Sequence, residues 1–219
     1  MRALLERLEE ATYARDRAVR DRAQQFADDL LKFLRADTDT LERKMAARPD
    51  YGFEVEATAF TRVLARPTTL ILLPRQRGVQ AQVETYDDGD ALVLFCLYQG
   101  GDLSDVAQYV DRSAVIHEVV HLLDPGRTAP TQRDQGALRR QDREAYFNSP
   151  AEWNAYWQQG AAELERALHT RHLSRGDIER TLDRYWDPRF LSAMDAPTRR
   201  RFDKRLAALW DALRSQGLL

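Results

Sequence analysis

Cysteine is nearly absent: Cys96 is the only one in 219 residues. No intramolecular disulfide can form, so the fold rests on packing, and the composition suits a reducing compartment. Cys96 itself reads as a small buried apolar residue. Net charge is nearly absent too, with 33 Lys and Arg against 35 Asp and Glu. Nothing global draws such a chain to nucleic acid or to an anionic membrane. Long apolar runs are missing, and the best candidate, Ala91–Tyr98, falls far short of the roughly 20 residues a membrane span needs. The opening residues, Met1-Arg-Ala-Leu-Leu-Glu-Arg, break their apolar run with charge at once, so no secretory signal is read and a cytoplasmic protein is expected. There is no internal repeat and no low-complexity linker. Histidine is scarce, with four in the chain, which gives weight to any two at a meaningful spacing.

What is present divides by pattern. Residues 2–47 follow a helical period, with Leu4, Leu8, Phe26, Leu30 and Leu34 among charges, and Asp37-Thr-Asp-Thr is a candidate break. This segment is read as a packing helix or, alternatively, a surface for a protein partner. Pro49-Asp-Tyr-Gly52 marks a change to β character. Phe53–Thr61, Thr68–Leu73, Val79–Tyr86 and Ala91–Tyr98 are rich in β-branched and aromatic residues and predict three or four strands. Asp87-Asp-Gly-Asp90 is a hairpin signal that pairs the last two antiparallel. Val79–Tyr86 alternates as an edge strand does, whereas Ala91–Tyr98 is apolar on both faces and reads as interior.

Gly100-Gly101-Asp102 ends the strands, and Asp102 or Ser104 can cap a helix running to Leu123. That helix carries His117-Glu118-Val-Val-His121. One helical turn separates the two imidazoles on a common face, with Glu118 rotated by about 100° from His117. Two imidazoles so spaced can bind one Zn²⁺, and the adjacent carboxylate can act as a base on water at the metal. The alternative, core histidines that only hydrogen-bond, must explain why polar side chains interrupt Val115, Ile116, Val119, Val120, Leu122 and Leu123, since burying them unpaired is costly. Asp124 follows His121 by three residues. It either orients that imidazole or forms the turn at Asp124-Pro-Gly126.

A catalytic zinc site usually has three protein ligands and one open position. Ser149-Pro150 is a helix start, and Glu152 in its first turn is a candidate third ligand; Ser149-Pro-Ala-Glu152 is equally a capping box. His169 and His172 are rivals in a charged helix end, and Asp142 and Glu144 are weaker ones. Tyr146 and Tyr156 are candidate oxyanion donors, Tyr156 lying one turn beyond Glu152, or else simply pack. The basic run Thr198–Arg205 lacks aromatic interleaving and reads as a solvated face.

His117-Glu118-Val-Val-His121 after a group of strands, followed about thirty positions on by Glu152-Trp-Asn-Ala155, resembles the zincin metallopeptidases, and among them the minimal gluzincins of the ImmA/IrrE type. The resemblance implies that His117, His121 and Glu152 bind Zn²⁺, that Glu118 is the general base, and that Val79–Tyr86 pairs with an extended protein or peptide substrate. The chain departs from that family in having no glycine after Val120 and no helix-turn-helix segment. A metzincin pattern fails, because Asp124 and Arg127 stand where its glycine and third histidine belong. The expected fold is therefore α+β and zincin-like, a small mixed sheet packed on an active-site helix. Its parts are a helical segment 1–48, then a domain 49–219 with sheet 52–98, active-site helix 102–124, glutamate helix 149–172 and C-terminal helices 174–216. The expected activity is zinc-dependent hydrolysis of peptide bonds, endopeptidase rather than exopeptidase. The alternative is a catalytically silent protein of the same fold within a larger assembly.

Overall fold

A computed structural model describes residues 2–36, 43, 53–55, 68–74, 81–85, 91–98, 111–124, 142–170 and 173–219, with side-chain surroundings given for 14–36, 43, 111–124, 142–170 and 173–219. In chain order the elements are α1 (Arg2–Ala36), β1 (Phe53–Val55), β2 (Thr68–Pro74), β3 (Ala81–Thr85), β4 (Ala91–Tyr98), α2 (Arg112–Leu123), α3 (Arg143–Phe147), α4 (Pro150–Thr170), α5 (Arg175–Glu179), a 3-10 turn (Leu182–Arg184), α6 (Pro188–Ala193) and α7 (Ala196–Ser215). They fall into two compact units, one of Met1–Arg20 with Pro125–Leu219 and one of Asp21–Asp124.

In the Asp21–Asp124 unit the strands pair in the order β1-β2-β4-β3. β1 runs antiparallel to β2, β2 parallel to β4, and β4 antiparallel to β3 in the register Val83 to Val93. α2 lies against β3 and β4. The second part of α1 belongs to this unit and buries Ala23, Phe26, Ala27, Leu30, Leu31 and Leu34, an alternation of three and four residues that keeps one helix face apolar. Arg112 at the start of α2 donates to both carboxylate oxygens of Asp28, at 2.8 and 3.2 Å.

The other unit is helical among its described residues. α4 and α7, of 21 and 20 residues, pack with α3, α5 and α6 around Trp153, Trp157, Trp186, Phe190, Phe202 and Trp210. Trp153 and Trp157, one turn apart, stack at 6.1 Å with planes 5° apart; Trp157 stacks on Trp186 at 5.6 Å. Gly160 is required here by close approach, since a Cβ at that position would collide with the Trp186 indole.

The α+β, zincin-like class expected from the sequence is corrected. Of the residues whose side-chain surroundings are described, 84% are helical and none lies in a strand, and the described apolar core sits on helices and their flanking turns. The reason is length. Helices of 35, 21 and 20 residues each present an apolar stripe long enough to bury against another helix, so a core forms without a sheet to cover. Strands of three to eight residues do not set the class.

Several boundaries also change. The active-site helix begins at Arg112, because Asp111 is extended and caps it, and not near Asp102; residues 102–110 lie outside the described residues, as do the Asp87–Asp90 turn, the Asp37–Thr40 break and the Pro125-Gly126 stop. The segment 174–185 is a five-residue helix followed by a 3-10 turn. Pro188 opens α6 as its first residue, with Asp187 as the N-cap at the break before it. Among the described residues, no helix is long and apolar enough to cross a membrane.

Candidate metal centre

α2 starts where the Asp111 carboxylate accepts from the Ser113 backbone N–H at 2.9 Å and from the Ser113 hydroxyl at 2.8 Å, the usual service of an N-cap aspartate. It ends at Asp124, which leaves helical geometry at φ −134° and ψ 57° while its N–H still donates to the Val120 carbonyl. Between these caps Val115, Ile116, Val119, Val120 and Leu122 are buried. Removing that apolar surface from water offsets the weak helix propensity of its β-branched residues.

His117 and His121 are buried with the valines, at 7% and 3% exposure. Their Nε2 atoms face each other at 3.3 Å and their rings meet edge-on, centroids 5.0 Å apart. An ion about 2.0–2.1 Å from two tetrahedral nitrogen ligands separates those ligands by about 3.3–3.4 Å. The observed spacing meets that requirement; a single Nε2–H···N hydrogen bond between neutral rings is the other arrangement it allows. Glu118 is half-buried beside His117.

α4 opens as the sequence anticipates. The Ser149 hydroxyl accepts from the Glu152 backbone N–H at 3.3 Å, and Pro150 takes the first helical position. The reciprocal half of a capping box would need the Ser149 N–H, but that group donates to the Tyr146 carbonyl at 3.1 Å. The cap thus engages the backbone N–H of Glu152. Glu152 is buried at 4% exposure, in the first turn of a helix, where the exposed amide dipoles favour a negative group.

Each of His117, His121 and Glu152 offers one ligand atom, and the three atoms lie within 4.8 Å of one another; among the described residues this is the one group of three or more potential metal ligands so placed. Two imidazoles and a carboxylate are a donor set that suits Zn²⁺ with one position left open. Three of the rivals do not join it: His169 is exposed in the last turn of α4, Asp142 caps α3 by accepting from Ala145 N–H at 3.0 Å, and Glu144 is exposed. His172 lies outside the described residues.

Tyr146 and Tyr156 are both half-buried against aromatic neighbours. Tyr146 meets Phe147 edge-on at 5.4 Å, while Tyr156 stacks on Phe190 at 5.3 Å and meets Phe147 at 5.0 Å. Asp124 is buried at 2% exposure. Resolved shifts in acidity fall on helix caps. The carboxyl of Asp177 is lowered by its hydrogen bond with the Ser174 side chain, and that of Asp195 by its hydrogen bond with Thr198.

A buried polar network on α4 has no counterpart in the sequence reading. Arg20 of α1 bonds to Gln158 and Glu165, and Arg205 of α7 bonds to Asn154 and Asp16. A signal for it existed. Asp16 and Arg20 continue the α1 stripe of Ala23, Ala27, Leu30 and Leu34 at the same three-and-four spacing, which is where charge is out of place unless paired.

No family model, no curated protein and no solved structure matches the chain.

Proposed function

We propose that His117, His121 and Glu152 hold a catalytic Zn²⁺ and that the protein hydrolyses peptide bonds in protein or peptide substrates. The observation that carries this reading is the buried pair of Nε2 atoms 3.3 Å apart with a carboxylate as third donor. A structural zinc site closes with a fourth protein ligand, whereas three, the number found among the described residues, leave a position for water or substrate. Bound there, the ion supplies Lewis acidity that polarises a carbonyl and acidifies water.

The remaining steps belong to the chain. Glu118 takes a proton from the attacking water and returns it to the leaving amine, a role for a carboxylate next to, but outside, the ligand pair. Asp124, three residues past His121, is the proposed acceptor that fixes the His121 ring through its other nitrogen. Tyr156, on the helix that carries Glu152, is the proposed donor to the carbonyl oxygen, with Tyr146 second. The substrate lies extended along β3, which among the described residues stands at the end of the strand order with β4 as its one strand neighbour. A cytoplasmic setting belongs to the same reading, supported by a chain with one cysteine.

The test is metal content per chain, by elemental analysis of protein prepared without chelators, for the wild type and for His117→Ala. About one zinc per wild-type chain and near none in the variant is the expected result, together with chelator-sensitive cleavage of an unfolded protein substrate. A wild-type chain that neither holds nor acquires zinc overturns the proposal.

A further inference from the structure

Glu152 must be held in place by something other than its cap, because the first turn of a helix frays and a zinc ligand tolerates displacement of only about 0.2 Å. The apolar packing of α4 does not provide this alone. Aromatic stacking and the Trp186 indole N–H, bonded to the Trp157 carbonyl at 3.3 Å, hold α4 five residues past Glu152. Further directional bonds come from Arg20. Its guanidinium, 1% exposed, grips Glu165 with both arms of the fork, Nε to Oε2 at 2.9 Å and NH2 to Oε1 at 2.6 Å, while NH1 donates to Gln158 Oε1 at 2.9 Å. One side chain thus fixes two points of α4 seven residues apart, about two turns. Arginine only donates, so the amide oxygen of Gln158 must face it, and the two bonded points together restrain the rotation of α4. Arg205 adds a third point near the helix start, donating to Asn154 Oδ1 at 2.8 Å and lying 4.9 Å over the Trp153 ring. Asn154 and Trp153 are the two residues that follow Glu152.

We infer that Arg20 is a positioning residue for the metal centre: through Glu165 and Gln158 it sets the rotation and register of α4, and so the placement of the Glu152 carboxylate. This rests on Glu152 being a zinc ligand. Breaking the fork leaves the Ser149 cap and the aromatic core in place but lets the helix settle in neighbouring registers, so a fraction of molecules loses the third ligand.

The experiment is a double-mutant cycle on zinc affinity in the full chain, read by competition with a chromophoric chelator at a temperature where circular dichroism shows each variant folded. Arg20→Gln is expected to weaken zinc about tenfold in the wild-type background and less than twofold in a Glu152→Ala background, because a residue acting through Glu152 has nothing to position once the carboxylate is gone. If Arg20→Gln does not fold, Glu165→Gln, which keeps the side-chain shape and removes the charge partner, enters the same cycle with the same expectation. An affinity unchanged by the variant, or the same fold-loss in both backgrounds, overturns the positioning role while leaving the metal centre intact. A wild-type chain that binds no zinc overturns the metal reading and this role with it.

Discussion

Helices α2 and α4 both carry polar side chains into apolar surroundings, and they hold them in opposite ways. α2 is twelve residues long and mostly buried. Its buried polar groups are two imidazoles facing each other, each of which a metal ion can satisfy. α4 is nearly twice as long and keeps one side toward solvent, with Arg166, His169 and Thr170 exposed. Its buried Asn154, Gln158 and the inner part of Glu165 are met by arginines from α1 and α7. On the proposed reading, buried polarity on α2 serves chemistry, whereas on most of α4 it serves register, and Glu152 is the residue of α4 that belongs with the first kind.

The largest effect expected from breaking this contrast is chemical. Glu118→Gln on α2 should lower peptide hydrolysis by about 10²–10⁴-fold, the usual weight of a general base, while zinc content and thermal stability stay at wild-type values. Activity that survives the change would remove Glu118 from the mechanism; retained zinc with no activity in either protein would point to a silent metal site.

On α4 the matching large effect is on stability. Trp186 is 1% exposed, stacks on Trp157, meets Phe202 edge-on at 5.3 Å and donates its indole N–H to the Trp157 carbonyl at 3.3 Å. Its ring also occupies the space over Gly160. Trp186→Ala leaves a cavity and removes the indole hydrogen bond, and should cost about 3–5 kcal/mol in urea unfolding. A loss under about 1 kcal/mol would mean that α4 does not depend on the tryptophan stack.

Glu152→Gln tests the residue where the two kinds of helix overlap. The Ser149 hydroxyl bonds the backbone of residue 152, so the cap survives the change and stability should hardly move. Zinc affinity should fall by at least about tenfold, since loss of a mere supporting contact to a metal ligand already costs about that much. Unchanged affinity would return Glu152 to a structural role.

How much of this was legible in the sequence depends on how local each cause is. His117, Glu118 and His121 are placed by one helix, so their spacing sufficed. The start of α4 was legible because Ser149-Pro150 acts on its own first turn. The strand spans Thr68–Pro74 and Ala91–Tyr98 and the antiparallel pairing of β3 with β4 followed from residue type and turn signal. The fold class did not follow, because it depends on which elements build the core, and four short strands weigh little against long amphipathic helices. The Arg20 and Arg205 networks were also hidden. Their partners lie from 51 to 189 positions along the chain, and a sequence shows only that a charge sits on an apolar stripe, not what meets it.

The smallest expected effect lies at the surface, where neither metal nor buried register is at stake. Asp187 caps α6, accepting from Arg189 N–H at 2.8 Å and pairing with the Arg189 guanidinium at 2.6 Å. Burial by itself raises this carboxyl, but the hydrogen bonds from the Arg189 side chain and backbone outweigh it, and the net pKa lies below the ordinary 3.8. A carboxyl that is more acidic folded than unfolded stabilises the protein above pH 3.8, and that contribution is lost as the pH falls through the folded value. Asp187→Asn keeps the capping oxygen and removes the charge. Near pH 7 the variant should be less stable by a few tenths of a kcal/mol, in keeping with a solvent-screened pair. In urea midpoints taken down a pH series, the gap between the two proteins should close below 3.8 as the wild-type carboxyl protonates. A gap that persists unchanged into acid would assign the contribution of Asp187 to the shape of its cap and not to its charge.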